Sequence, residues 1–175
     1  IPDTVTEIGR YAFENCSNLV NISFPNSLQV IGEGAFKDCN KIKDINLPNG
    51  LQEMQNGYYN GAFSYCTGLQ KVSIPSSLKK GYLAFKGCNS LSEIEWIQGI
   101  TKIPEGLFRE CAGLKSVVIP DSITQIEGNA FAECSNLQEI YLPNNTVDIA
   151  DNAFNKCPYL VMKMNRDSYA SRHAI

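Results

Sequence analysis

Apolar and polar positions along the chain recur with a period of about 23 residues. The clearest markers are the cysteines, whose successive separations are 23, 27, 22, 23, 23 and 23 residues, and a phenylalanine stands three residues before each of them. A repeat of this length is typical of a solenoid, in which each coil stacks on the next. The seven markers are Cys16, Cys39, Cys66, Cys88, Cys111, Cys134 and Cys157.

Each cysteine is followed by a segment that alternates apolar and polar residues. After Cys134, for example, the apolar residues are Leu137, Ile140 and Leu142, and Pro143 closes the segment. Alternation of this kind predicts a strand with one buried face, and proline marks the end of the strand because it cannot donate to the ladder.

The other half of each coil predicts a second extended segment and then a tight turn. Ile123 and Ile126 are the apolar pair of one such segment, and the pattern Ala-Phe-x-x-Cys follows it. Three small or apolar residues on one side of a turn favour a short helical turn at this place.

A single coil cannot enclose its own line of apolar side chains, so the coils must stack into a rod. Neighbouring coils are expected to pair as parallel strands about 4.8 Å apart, with the strand side concave. The sequence therefore predicts one solenoid domain over residues 1–175, with an incomplete first coil and a C-terminal cap over about 158–175.

The repeat resembles the BspA-like class of leucine-rich repeats, and its clearest instance runs from Ile119 to Pro143. The resemblance implies a right-handed superhelix with a parallel sheet on the concave face, and short strands and helical turns on the other side. It also implies a cell-surface or secreted location and adhesion to a protein or glycan partner.

Composition excludes several classes of function. The net charge is −3, so no positive field is available to hold phosphate groups, and nucleic-acid binding is not expected. No apolar run reaches the roughly 18 residues of a membrane span, so membrane insertion is not expected either. The N-terminus has no signal-peptide pattern and opens inside a repeat.

The cysteines do not have the pattern of a metal site or a disulfide framework. Zinc sites use closely spaced pairs such as C-x-x-C, and the nearest two cysteines here are 22 residues apart. Equivalent positions in stacked coils point in parallel, which does not give the torsion of a disulfide. We expect small buried core residues and no cofactor. His173 is interpreted as a surface residue of the cap rather than a partner of Cys157.

Glu93 and Glu95 flank Ile94 on one strand, so their carboxylates should lie roughly 6.5–7 Å apart on the same face. That separation suits glycoside hydrolysis, but an open sheet offers no cleft that would separate their pKa values. We interpret them as a solvated acidic patch and predict that the chain is not an enzyme.

The solvent-facing positions of the concave sheet are the first candidate binding surface. They form a polar and mildly acidic surface that fits a protein or glycan. The alternative is a structural spacer that projects another domain from the cell surface, with a face that is polar only for solubility. The candidate residues are Asn21, Ser23, Asp44, Asn46, Lys71, Ser73, Glu93, Glu95, Ser116, Val118, Glu139 and Tyr141.

Two irregular coils give the second candidate surface. The third coil carries four extra residues around Tyr58 and Tyr59, and the fourth coil, with Tyr82, is one residue short and lacks the usual isoleucine. Insertions in solenoids form loops on one side of the rod, and tyrosine is favoured at interfaces. The alternative is that these tyrosines fill the core volume that the missing isoleucine leaves.

Overall fold

The computed structural model describes residues 1–55, 57–144 and 147–164, and in this part of the chain it contains a parallel β-solenoid of seven coils. Every strand pair within it is parallel. The strands are β1 (Glu7–Ile8), β2 (Val30–Ile31), β3 (Asp44–Asn46), β4 (Glu53–Met54), β5 (Lys71–Ile74), β6 (Glu93–Trp96), β7 (Lys102–Ile103), β8 (Ser116–Val118), β9 (Gln125–Ile126), β10 (Glu139–Leu142), β11 (Asp148–Ile149) and β12 (Val161–Met164).

The strands form two strips along the solenoid. The first strip follows the cysteines and contains two sheets, ordered β3-β5-β6 and β8-β10-β12. The second strip precedes the phenylalanines and also contains two sheets, β1-β2-β4 and β7-β9-β11. The parallel sheet predicted from the alternating segments is confirmed, but both strips are interrupted between the fourth and fifth coils.

The phenylalanines form a continuous stack through the core. Phe36, Phe63, Phe85, Phe108 and Phe131 are each no more than 1% exposed. Neighbouring rings are nearly parallel, with centroids 5.0–5.6 Å apart. Because each coil contributes the same residue at the same place, stacking coils places ring on ring, as expected of a repeat whose contacts are with its neighbours.

The predicted helical turn is wrong: no helix occurs among the described residues. In the turn around Phe36, Gly34 and Asp38 have φ angles of 60°, in the left-handed region, and equivalent positions in most coils do the same. A right-handed helix cannot continue through such residues. Some backbone amides of the turn instead donate to the carbonyl three residues earlier. Others donate to a carbonyl of the next coil, as Phe36 does to Ala62 at 2.8 Å.

The predicted ladder of buried cysteines is confirmed for five of the seven, and the two terminal ones, Cys16 and Cys157, are half-buried. The thiols also have a polar role. The Cys66 thiol donates to the carbonyl of Phe36 in the preceding coil at 3.0 Å, and the same carbonyl accepts the amide of Cys39 at 3.2 Å. Six thiols bond in this way, with S···O distances of 3.0–3.3 Å. A cysteine here is therefore both a small core residue and a link between coils.

The first strip is interrupted at Trp96. In the second, third, fifth and sixth coils this position holds an aliphatic residue such as Ile119, whose backbone amide donates to Tyr141 in the next coil at 2.9 Å. In the fourth coil the indole N–H of Trp96 donates to the carbonyl of Val118 at 3.0 Å, and the indole packs edge-on against Phe108. The indole thus takes the acceptor that the backbone amide would use, and β6 and β8 do not pair.

The second strip is interrupted beside Gly81, which lies where other coils carry an isoleucine or methionine. A Cβ at Gly81 would lie 2.9 Å from the side chain of Leu107 and 3.4 Å from that of Met54. The fifth coil has Leu107 where six coils have alanine, and this leucine is fully buried. Leu107, rather than a tyrosine, therefore fills the volume that the missing isoleucine leaves.

The turn side keeps the fourth and fifth coils together. Phe85 donates its amide to Leu107 and Gly87 donates to Arg109, both at 3.0 Å. The thiol of Cys111 donates to the carbonyl of Phe85 at 3.1 Å. The fourth and fifth coils are therefore joined by hydrogen bonds at their turns, but in the described part of the chain no strand of either strip pairs across the boundary between them.

Candidate functional site

The outward side chains of the first strip form what we call the strand face. Strand register arranges them in two rows. In one row Asp44, Lys71 and Glu93 lie side by side, and Asn46 and Glu95 lie in the other. Beyond the interruption the rows continue with Ser116, Glu139 and Val161 and with Val118, Tyr141 and Lys163.

Lys71 neutralises part of the acidic patch predicted in the middle of this face. Its ammonium lies 2.6 Å from a carboxylate oxygen of Glu93 and 3.5 Å from one of Glu95. Hydrogen bonding to Glu93 is the main cause that raises the pKa of Lys71. Since one ammonium contacts both carboxylates, Glu93 and Glu95 do point to the same side, as predicted. They are exposed and share a counter-ion, which is the environment of a solvated ion pair rather than of an acid–base pair.

A second ion pair lies at the other end of the strand face. Lys163 donates to Glu139, and the hydroxyl of Tyr141 donates to the same carboxylate at 2.6 Å. The Lys163 ammonium also lies 5.4 Å from the centre of the Tyr141 ring. Hydrogen bonds from Lys163 and then Tyr141 lower the pKa of Glu139. These contacts link three polar side chains on an open surface.

Three of the candidate residues differ from the expected arrangement. Ser73 was predicted to face solvent but is only 6% exposed, because its hydroxyl lies between Asn46 and Glu95, 2.9 Å from an oxygen of each. Asn21 and Ser23 are exposed, but residues 20–25 form no strand, so these two do not extend the sheet. An aromatic residue, Phe24, stands in this coil where the fourth coil has Trp96.

Lys163 is a strand-face residue that sequence reasoning missed. In the sixth coil Tyr141 comes seven residues after its cysteine, and Lys163 comes six residues after Cys157, yet the two residues are paired. The seventh coil is therefore one residue short before its strand. A repeat aligned only on cysteines assigns Lys163 to the buried side, and the alternation within β12 was the signal that could have corrected this.

The tyrosines of the irregular coils do not form one cluster. Tyr58 and Tyr59 are 93% and 75% exposed, and their ring centres are 6.2 Å apart. Tyr82 instead lines a cleft of about 280 Å³ beside Lys102 and Glu105 on the second strip. The idea that Tyr58 and Tyr59 fill the core is therefore wrong, because the insertion carries both rings out into solvent.

Other chemistry is not evident in the described part of the chain. It contains no group of three or more histidine, cysteine or acidic residues able to hold a metal ion. His173 and residues 165–175 of the expected cap lie outside the described residues. No helix long and apolar enough to cross a membrane is found within residues 1–55, 57–144 and 147–164.

Solved structures similar to this chain are bacterial leucine-rich repeat proteins. A leucine-rich cell-surface protein of Faecalibacterium prausnitzii is 26% identical over 100% of this chain and 61% of its own, with a TM-score of 0.62. A leucine-rich repeat protein of Bacteroides ovatus is 25% identical over 94% of this chain and 54% of its own, with a TM-score of 0.56. The T. pallidum leucine-rich repeat protein is 26% identical over 97% of this chain and 69% of its own, with a TM-score of 0.54.

The chain thus spans just over half the length of the first two of these proteins. Among curated proteins none matches the chain. The family model for the BspA-type leucine-rich repeat region matches it in six copies, over residues 1–80 and 59–161. These matches cover most of the chain and agree with the coils, the phenylalanine stack and the parallel strands described above. The chain belongs to the BspA-type leucine-rich repeat family.

Proposed function

We propose that the chain is a non-catalytic binding module of a bacterial surface or secreted protein, and that it recognises a protein through the strand face. The observation that carries the proposal is the arrangement of this face. Its exposed side chains lie in two rows at strand spacing, and ion pairs at Lys71 and Lys163 hold several of them in place. Such a regular, extended array of polar side chains offers a surface that a protein partner can bind.

The charge of the strand face suits a protein partner with complementary polar groups. The strand face carries two net negative charges, from the four carboxylates of Asp44, Glu93, Glu95 and Glu139 and the two ammonium groups of Lys71 and Lys163. A pattern of charges of both signs gives specificity more than affinity when the partner complements it. Solenoids of this kind use such extended surfaces for binding, and one similar solved structure is described as a cell-surface protein.

Charge reversal on the strand face tests the proposal. We expect Glu93→Lys with Glu95→Lys to weaken capture of a partner by at least about tenfold, because like charges placed opposite each other in an interface cost several kcal/mol. The matched control is Glu7→Lys with Asp148→Lys, which makes the same change of charge on exposed residues of the second strip. The measurement is capture of purified extracellular matrix and serum proteins, followed by titration of any captured protein.

A third variant distinguishes the two candidate surfaces. Tyr58→Ser with Tyr59→Ser removes both exposed rings and leaves the strand face unchanged. Capture lost only in this variant would move the site to the tyrosine loop. Capture by the wild type that survives all three double substitutions would exclude both surfaces. No capture at all would favour the spacer function. Melting temperatures of all variants must match the wild type for these readings to hold.

A further inference from the structure

The interruption at Trp96 leaves a groove in the middle of the strand face, between β6 and β8. The groove has a volume of about 180 Å³, and its lining includes Trp96 and Val118. The less exposed lining residues Ile94, Leu114 and Val117 are apolar, and we call them the floor of the groove. The exposed lining residues Ser92, Glu93 and Ser116 are polar, and we call them its rim. This combination is typical of a binding pocket in which a few polar groups orient a ligand that an apolar surface holds.

Ile94 shows that the opening exposes core surface. Equivalent residues in the second, third, fifth and sixth coils are buried, whereas Ile94 is half-buried: Val72 and Ile140 are 0% exposed, Ile45 1% and Val117 4%. The next coil covers Val72 and Ile140, but β8 does not cover Ile94. An apolar side chain placed in the groove would restore the cover that the other coils have, and burial of that surface would stabilise the complex.

Backbone groups at the groove also lack the partners that their equivalents have. Glu139 donates its amide to Lys115 in the preceding coil at 3.2 Å, and Ile119 donates to Tyr141. The equivalent bond from Ser116 to Ser92, and that from the Trp96 amide to Val118, do not form in the described part of the chain. The edges of β6 and β8 therefore face the groove. Among the described residues, the amides of Ser116 and Trp96 and the carbonyl of Ser92 lack the bonds that their equivalents form.

We propose that this groove is the anchor site of the strand face, and that it receives an aliphatic or aromatic side chain carried on an extended segment of the partner protein. The proposal rests on the proposed function and specifies its partner. Extended backbone is indicated because strand edges bind peptides through main-chain hydrogen bonds, while pockets select the side chain. A single apolar side chain is indicated by the volume, since a dry cavity of about 150 Å³ holds one benzene molecule.

Trp96 is the only tryptophan of the chain and lines the groove, so its fluorescence reports on occupation directly. The probe is the capped pentapeptide acetyl-Thr-Thr-Leu-Thr-Thr-amide, whose threonines favour an extended backbone. We expect a saturable change in Trp96 emission in the millimolar range or below. The same peptide with alanine in place of leucine should bind at least about tenfold more weakly, because it buries less apolar surface. A leucine peptide with N-methylated backbone should also bind more weakly, since it cannot donate to the strand edge.

Ser116→Tyr should abolish the change by filling the groove from its rim. The matched control is Asn21→Tyr, which introduces the same residue at the equivalent exposed position of the first coil. If Ser116→Tyr fails to fold, as judged by circular dichroism, Ile94→Lys replaces it and places an amine in the apolar floor.

The outcomes separate this inference from the proposed function. Saturable binding of the leucine peptide that is lost at Ser116 and kept in Asn21→Tyr supports the anchor site. Absence of saturable binding, or equal binding by the leucine and alanine peptides, overturns it. Binding that survives both groove variants also overturns it, because the peptide then binds elsewhere. In each of these cases the capture assay with Glu93 and Glu95 still decides whether the strand face binds a protein.

Discussion

Raising the pH above about 9 is expected to destabilise the protein, because its buried thiols resist ionisation. Burial raises the pKa of Cys39 to about 11 and that of Cys88 and Cys134 to about 12, and it raises the pKa of Cys66 and Cys111 well above the ordinary value. In the unfolded chain these thiols ionise near pH 9. The unfolded state therefore loses protons that the native state keeps, and the free energy of unfolding falls as the pH rises.

The expected effect is large. Each thiol contributes a loss of about 1.4 kcal/mol per pH unit above its unfolded pKa, so the five together contribute up to about 7 kcal/mol per unit. A typical domain is stable by only about 5–15 kcal/mol. Unfolding followed by circular dichroism from about pH 7 to about pH 11, with a reductant present, measures the loss.

A single substitution isolates the contribution of the thiols. Cys88→Ser keeps a hydroxyl that can donate to the carbonyl of Phe63, the acceptor of the native thiol. The substitution removes one ionising group. The free energy of unfolding of the variant should therefore fall with pH less steeply than that of the wild type, by about 1.4 kcal/mol per pH unit. Equal stability of the wild type at neutral pH and at about pH 10.5 would contradict the account of the cysteine ladder.

Truncation of a central phenylalanine should be the most damaging single substitution in the core. Phe108 is fully buried, stacks between Phe85 and Phe131 at 5.6 and 5.5 Å, and contacts the edge of Trp96. Phe108→Ala removes all of these contacts and leaves a cavity. We expect it to lower the free energy of unfolding by about 3–5 kcal/mol.

Phe13 is the matched comparison at the end of the stack. It is half-buried and stacks on only one ring of the array, Phe36, at 5.0 Å. Phe13→Ala should cost about 2 kcal/mol, since a smaller part of the ring is removed from the core. Urea unfolding of both variants measures the difference. Equal losses would show that the stack does not act through neighbouring coils.

Properties that depend on the repeat itself were predictable from the sequence. The spacing of cysteine and phenylalanine predicts which residues form ladders, because equivalent positions in stacked coils must meet. The turn was not predictable in the same way. Tyr65, Leu83 and Glu110 adopt left-handed φ angles of 60°, 56° and 62°, a conformation that propensity assigns to glycine or asparagine. Contacts between coils impose it, and one coil read alone does not show it.

The interruption of the strand face depends on single residues that depart from the repeat. Trp96 occupies a position where the neighbouring coils have aliphatic residues, and its size and indole N–H replace a backbone contact with a side-chain contact. Gly81 in the fourth coil leaves a volume that Leu107 in the fifth coil fills. The effect of either residue on packing therefore cannot be predicted from its own coil alone. Departures of this kind indicate where the array is irregular, but only the structure shows which contact is lost.

Hydrogen exchange of two pairs of backbone amides tests most directly whether the strand face is open at Trp96. The amides of Ser116 and Trp96 face the groove, while their equivalents in the next coil, Glu139 and Ile119, donate to neighbouring strands at 3.2 and 2.9 Å. We predict that Ser116 and Trp96 exchange at least about tenfold faster than Glu139 and Ile119 in the native protein, because an unpaired amide exchanges without opening of the sheet. Equal protection of the two pairs would show that β6 and β8 are paired in solution, and would contradict both the interrupted sheet and the groove that follows from it.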